Sequence, residues 1–153
     1  MTPQCHQKLS DEYDRLRNIE RPEITKVIQW AAGNGDRSEN ADYIYGKKRL
    51  REIDSRLRFL GKRLGDAVVV NPETIESETI KFGATVTVIE NDLEKVYYIV
   101  GQDEIDLSLS KISWKSPIGK SLLGKEEGDL VELNTPNGNK ELEIVSVSYK
   151  AIP

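Results

Sequence analysis

The 153-residue sequence has one cysteine, one histidine and no long apolar run. A lone Cys5 excludes an internal disulfide. Cys5 and His6 together cannot fill the four-ligand shell of a structural zinc site, and their adjacency near the start of the chain suggests no catalysis. Ser38 has no neighbouring histidine to act as its base, so it is not read as a nucleophile. No apolar stretch approaches the ~20 residues of a membrane helix, so no membrane partner is expected. No basic-then-apolar stretch opens the chain, so secretion is not expected, and the cysteine usage fits a cytoplasmic protein. What the chain has in abundance is charge, 31% of its residues against 37% hydrophobic. Leu, Ile and Val are still frequent enough to build modest cores, in one ordinary domain or two small ones.

The formal net charge of -4 argues against simple duplex-DNA binding, but the charge is unevenly placed. Residues 1–65 hold 14 Lys/Arg against 10 Asp/Glu, whereas residues 66–153 hold 8 against 16. The sharpest block carries Lys47, Lys48, Arg49, Arg51, Arg56, Arg58, Lys62 and Arg63 against Glu52 and Asp54. Such asymmetry points to two modules with different partners, one of them nucleic acid, or else to a solvated helix face.

The hydrophobic period divides the chain at the same place. Leu50, Ile53, Leu57, Leu60 and Leu64 recur at alternating steps of three and four, an a/d seam. Upstream, Leu9, Tyr13, Leu16 and Ile19 form one stripe and Ile24, Val27, Ile28 and Ala31 another. Pro22 stands between them, where it should kink the helix or begin a new one. Gly33-Asn34-Gly35-Asp36 breaks one helix and starts the next. An antiparallel two-helix hairpin over residues 1–70 follows, with its tip near 33–40 and Trp30 expected in the seam. With Leu50 at position a, Arg49, Arg56 and Arg63 all fall at g, Arg51 and Arg58 at b, and Lys48 and Lys62 at f. After Gly65 the composition turns to Val, Ile, Thr and Tyr. Strands are expected over 67–71, 82–90, 95–101, 130–135 and 140–149, with hairpin turns at Asn91-Asp92 and Pro136-Asn137-Gly138-Asn139. A short helix opens at Ser116-Pro117 and stops at Gly124. Residues 71–80 read as a linker, and 81–153 as a small antiparallel α+β domain whose core or binding surface takes Trp114.

The tip carries Asp36 and Glu39, three residues apart, so both fit one side of a first helical turn. Asp-x-x-Glu at a helix start is also a capping box, which needs no function. The functional alternative starts from the rod itself: two carboxylates at the end of a hairpin ~35–40 Å long can be carried into a narrow channel. Carboxylate oxygens suit Mg²⁺, but one pair cannot complete a site and would have to share the ion with a partner. An acidic tip on a basic shaft points to phosphodiester chemistry beside a bound polyanion. Tyr43, just past the tip, could steady Asp36, stack on a base or simply pack across the hairpin.

Gly35-Asp36-Arg37-Ser38-Glu39-Asn40-Ala41-Asp42-Tyr43, followed by Lys47-Lys48-Arg49-Leu50-Arg51-Glu52-Ile53-Asp54, resembles the bacterial Gre transcript cleavage factors, and within them the GreB branch with its larger basic patch. Arg21-Pro22-Glu23, Phe82-Gly83-Ala84-Thr85-Val86, Ile99-Val100-Gly101, Asp103-Glu104, Ser116-Pro117-Ile118 and Gly124-Lys125-Glu126-Glu127-Gly128-Asp129 are similar to the same family. Lys115 stands where the family usually places Asp or Asn, and Ile105–Ile112 departs from its usual run. The resemblance implies an N-terminal coiled-coil hairpin and a C-terminal FKBP-like domain, a label that carries no isomerase activity with it. It implies docking of that domain on RNA polymerase, at the rim of the secondary channel, through Ser116, Pro117 and Ile118. It further implies that the hairpin enters the channel of the DNA-bound enzyme. Asp36 and Glu39 would help hold the second Mg²⁺, shared with the polymerase, and position the water that attacks a backtracked nascent RNA 3′ end. Lys47, Lys48, Arg49, Arg51, Arg56, Arg58 and Arg63 would hold the RNA. On this view the protein is a monomer when free and a cofactor of the polymerase rather than an enzyme by itself. Two alternatives stand beside it: a homologue that plugs the channel without cleavage, and a helical-hairpin adaptor or chaperone whose tip carboxylates only cap.

Overall fold

The a/d spacing of the second arm becomes one uninterrupted helix, and the proline of the first arm becomes a local change of helical pitch. The computed structural model describes residues 1–34 and 40–153. The chain forms two compact units, His6–Ala67 and a second made of Met1–Cys5 with Val68–Pro153.

In the helical unit, α1 (Pro3–Arg15) runs through a π turn (Leu16–Glu20) into α2 (Arg21–Ala32), and α3 (Ala41–Asp66) returns. Pro22 has no N–H to donate one turn back, and the helix accommodates it by widening just before it: the Arg21 N–H reaches the Leu16 carbonyl. The wide turn carries one extra residue, which changes the face presented. Leu9, Leu16, Ile28 and Ala31 are buried as the stripes require, but Ile19, expected inside, is 53% exposed and the neighbouring Glu20 is half-buried. On α3, Ile53 and Leu60 are buried and Leu50, Leu57 and Leu64 half-buried, so the seam holds along its length. Gly46 extends it toward the tip. A Cβ there would stand 2.7 Å from Ile28 Cγ1, so only glycine lets the arms approach this closely at that level.

In the second unit a five-stranded sheet has the order β3-β2-β1-β5-β4, from β1 (Thr85–Glu90), β2 (Leu93–Val100), β3 (Lys111–Ser113), β4 (Leu130–Thr135) and β5 (Gly138–Ser148). Asn91 and Asp92, both at positive φ, make the tight β1–β2 turn the sequence calls for, with Glu90 opposite Leu93. The sheet is mixed rather than antiparallel. Residues 101–110 cross over instead of reversing, and Ile112 pairs in parallel with Ile99. The expected strand at 67–71 is absent. Val68 and Val69 are exposed, and the segment meets Met1 alone, whose carbonyl accepts the Val70 N–H and whose amino group donates to the Val68 carbonyl, a contact too short for a strand among the described residues. Residues 71–80, read as a linker, pack within this unit: Pro72 is buried in a 3₁₀ turn (Pro72–Thr74) and Ile80 sits in the core. The short helix α4 (Pro117–Leu122) lies over one sheet face. Leu122 joins Val86, Val88, Ile99, Ile112, Val131, Leu142 and Ile144 in the main core.

Candidate functional site

Asp36 and Glu39 lie outside the described residues, but the two helix ends that lead to them are well defined. Gly33 ends α2, its N–H bonded to the Trp30 carbonyl. Asn40 is the N-cap of α3: its Oδ1 accepts the Tyr43 N–H at 3.1 Å, and its Nδ2 donates across to the Ala31 carbonyl at 2.7 Å. The N-cap of α3 is therefore Asn40, and the same side chain ties the arms together where the tip begins. Tyr43 is half-buried, with Lys47 Nζ 5.8 Å from its ring centroid. Trp30, expected in the seam, is 63% exposed, as is Tyr45.

The basic block separates into two chemically different sides. Along one flank of the seam, two of the g-position arginines, Arg49 and Arg56, reach across the hairpin. Arg56 grips Glu12 with two hydrogen bonds of 2.8 and 2.9 Å, and Arg49 bonds Glu20 at 3.2 Å and Glu52 at 3.4 Å. Arg15 shares Glu20 at 3.1 Å. Arg56 and Arg63 both place their guanidinium carbons 5.0 Å from the Phe59 ring centroid. The Arg56 bonds hold the Glu12 carboxyl below its usual range, and the Arg15 and Arg49 bonds do the same for Glu20. On the other flank of the seam Arg21 bonds Asp54 at 2.8 Å. On the outer side of α3, Lys48, Arg51, Arg58 and Lys62 are exposed and form no ion pair among the described residues. Lys48 and Arg51 open onto a shallow groove of about 650 Å³, also lined by Glu52, Ser55, Arg56 and Phe59. Of the residues predicted as one RNA-binding set, Arg49 and Arg56 thus pair with carboxylates, while Lys47, Lys48, Arg51 and Arg58 face solvent. Position g, next to the seam, was the signal that could have separated them.

In the second unit, Ser116 caps α4. Its Oγ accepts the Gly119 N–H at 3.1 Å and donates to the Ser113 carbonyl at 2.6 Å. Ile118 packs against the core, and Pro117 is the exposed member of the three predicted docking residues. Trp114 is partly exposed beside them, with Lys115 Nζ 5.2 Å from its ring centroid. The signal missed in sequence is the neighbouring loop. Asp106 caps a tight turn through Ser108, which leaves Ile105, Leu107 and Leu109 exposed. Among the described residues no three His, Cys, Asp or Glu side chains gather as a metal site, and no helix is long and apolar enough to cross a membrane.

Comparison with known proteins bears on both units. Residues 1–69 match the family described as transcription elongation factor, N-terminal, and residues 75–149 that described as transcription elongation factor, GreA/GreB, C-term. Over 151 residues the chain is 56% identical to transcription elongation factor GreB of Neisseria meningitidis serogroup B, covering 97% of this chain and 93% of that one. It is 45% identical to GreB of Pseudomonas aeruginosa, covering 100% and 92%. The crystal structure of GreA factor homolog 1 of Thermus thermophilus matches at 26% identity and a TM-score of 0.44, covering 96% of each chain.

Proposed function

This chain belongs to the GreA/GreB family of transcription elongation factors, and from that premise we propose that it stimulates the Mg²⁺-dependent cleavage of backtracked RNA 3′ ends by RNA polymerase. The observation that carries the reading is the cap of α3. Asn40 satisfies that helix start, so the capping box that would have explained Asp36 and Glu39 without function is not needed there. This supports reading the two carboxylates between the arms as available to a partner. Their hard oxygen donors suit Mg²⁺, and two of them leave most of its shell to water and to a partner's ligands. An ion so held supplies an activated water and charge stabilisation for attack on a phosphodiester. This chain's part is to deliver Asp36 and Glu39 into the secondary channel, while the polymerase supplies the reaction.

The basic residues divide the remaining work. Lys48, Arg51 and Arg58, with Lys47 nearer the tip, hold the phosphates of the extruded RNA. Arg49 and Arg56 brace the hairpin beside them through Glu20 and Glu12. The C-terminal unit anchors the protein through the exposed surface around Pro117, raising the local concentration of the tip. Single Asp36→Asn and Glu39→Gln variants of the full chain test the reading on a stalled, backtracked complex. Each is expected to bind polymerase as the unaltered protein does and to lose most transcript shortening. Full shortening by Asp36→Asn would refute the metal role. Inhibition by the unaltered protein would make it a channel-blocking relative instead.

A further inference from the structure

Asn40 does more than begin α3. The ends of helices leave backbone groups without helical partners, N–H donors at the start and carbonyls at the finish. The Asn40 side chain answers one of each kind, on two different helices. Its Oδ1 accepts the Tyr43 N–H of α3 at 3.1 Å, and its Nδ2 donates to the Ala31 carbonyl of α2 at 2.7 Å. That donor and acceptor lie nine residues apart, and Asp36 and Glu39 fall in the connection between them. The cross-arm pairs of Arg21 with Asp54, Arg49 with Glu20 and Arg56 with Glu12 lie further down the shaft and join long charged side chains. The Asn40 bond instead joins a half-buried amide to the backbone of a fully buried residue, so its acceptor does not swing away. Three residues back along α2, Ile28 meets Gly46 so closely that a Cβ there would stand 2.7 Å from Ile28 Cγ1. The arms are thus fixed at two neighbouring levels, by packing at Ile28 and Gly46 and by a hydrogen bond at Ala31 and Asn40.

We propose that Asn40 is a positioning residue for transcript cleavage: its amide ties the start of α3 to the end of α2 and so sets the separation of the two chain ends between which Asp36 and Glu39 lie. The inference rests on the metal role proposed for that pair. Two carboxylates share an ion with a partner productively only if their placement is set beforehand, and a misplacement of about 1 Å at a reacting centre costs up to ~100-fold in rate. The chemistry of the side chain separates this role from simple capping. Asp and Ser cap a helix about as well as Asn. Ionised Asp, however, has no N–H to offer the Ala31 carbonyl, and the Ser hydroxyl, set directly on Cβ, is too short to cap its own helix and bridge to the other arm. A cap needs only an acceptor, whereas the tie needs the amide donor as well.

The test uses full-length Asn40→Asp and Asn40→Ser, which keep the cap and lose the tie, beside Asn40→Ala, which loses both. Circular dichroism verifies that the helices remain. Affinity for core RNA polymerase and the rate of transcript shortening at saturating protein are measured on shallow and deeply backtracked complexes. The Asp and Ser variants are expected to bind polymerase as the unaltered protein does and to shorten transcripts about tenfold more slowly at saturation, equally for short and long extruded RNA. Asp adds a charge and Ser does not, so a loss common to both traces to the missing N–H. An unaltered saturating rate in either variant, with the loss confined to Asn40→Ala, would make Asn40 a cap alone and overturn the proposal. Weakened binding with an unaltered saturating rate would overturn it in favour of a direct contact with polymerase. A second measurement is independent of activity. Spin labels at the exposed positions of Trp30→Cys and Tyr45→Cys, in a Cys5→Ala background, report the spacing of the arms. The distance distribution is expected to be narrow with Asn40 and broader with Asn40→Ser, and equal widths would overturn the proposal. If the unaltered protein binds polymerase but shortens no transcript, the reading of Asp36 and Glu39 fails while the distance measurement still decides whether Asn40 holds the arms.

Discussion

Two pairs of arginines on one helix should fail in opposite ways when removed. Arg51→Ala with Arg58→Ala takes away exposed cations that contact no carboxylate among the described residues. Helix stability should barely change, since both residues and alanine are good helix formers. If the two side chains neutralise phosphates of single-stranded RNA, each contributes a salt slope of about 0.7, so the pair contributes about 1.4. A fourfold rise in salt, from about 50 to 200 mM, should then shrink the advantage of the unaltered protein on deeply backtracked complexes about sevenfold. Arg49→Ala with Arg56→Ala instead breaks the cross-hairpin bonds to Glu20 and Glu12. These pairs are a quarter to a half exposed, so about 1–2 kcal/mol in total is the reasonable loss, including the stacking of Arg56 on Phe59. That corresponds to a fall of roughly 5–10 °C in the melting of the helical unit. Thermal unfolding by circular dichroism and transcript shortening across a salt series measure the two effects on the same proteins. The reasoning is refuted if the Arg49/Arg56 variant melts normally and abolishes the salt-dependent advantage while the Arg51/Arg58 variant keeps it.

Two further outcomes concern the C-terminal unit. A Cβ on Gly119 would lie 2.1 Å from the Ser113 carbonyl oxygen and 2.9 Å from Trp114 Cα. Because these are backbone atoms that cannot swing aside, Gly119→Ala should destabilise the unit by about 2–3 kcal/mol in urea unfolding, and an unchanged midpoint would contradict the packing described for α4. Glu90 is nearly buried between Lys95 at 2.9 Å and Lys140 at 3.1 Å, and hydrogen bonds from Lys95 and then Lys140 hold its carboxyl below the usual range. Its contribution is present in full above the unfolded value of about 4.3 and is lost as pH falls through the lower folded value. The stability gap between the unaltered protein and Glu90→Gln should thus be level from neutral pH to about 5 and close in more acid solution; a gap that persists unchanged in acid would contradict the pairing.

The elements that repeated a period were legible in the sequence. The seam of α3, the break at Gly33 and the positive-φ turn at Asn91-Asp92 each follow from local chemistry that tertiary packing did not override. What escaped depended on partners distant in the chain. Ile19 faces outward because a π turn absorbs Pro22, and a proline announces a disturbance without giving its pitch. The β3 strand has three residues, too few to show a period, and its parallel pairing with β2 is set by the crossover of residues 101–110. Val68 and Val69 have the composition of a strand but no free ladder to join. At the candidate site, the chemistry of Asp36 and Glu39 was legible as two alternatives, and the position of Asn40 bears on the choice between them. Trp30 looked like a core residue because aromatics usually are, whereas the phase of α2 turns it outward.

The first few residues of the chain have a consequence for how the protein is made. Thr2 donates its N–H to Glu104 Oε1 at 3.0 Å, its hydroxyl bonds the same oxygen, and Glu104 Oε2 accepts the Gly101 N–H at 3.0 Å. Donor and acceptor are 102 residues apart. At 5–20 residues per second of synthesis, Thr2 must wait roughly 5–20 s before its partner leaves the ribosome. The hairpin between them needs only neighbours close in sequence, and helices form in microseconds. The order of assembly is therefore inverted relative to the order of synthesis: the rod is finished early, and the opening residues are among the last to be fastened. A nascent chain halted before residue 104 would present a completed rod whose starting end is still loose, an intermediate that proteases acting on growing chains could recognise.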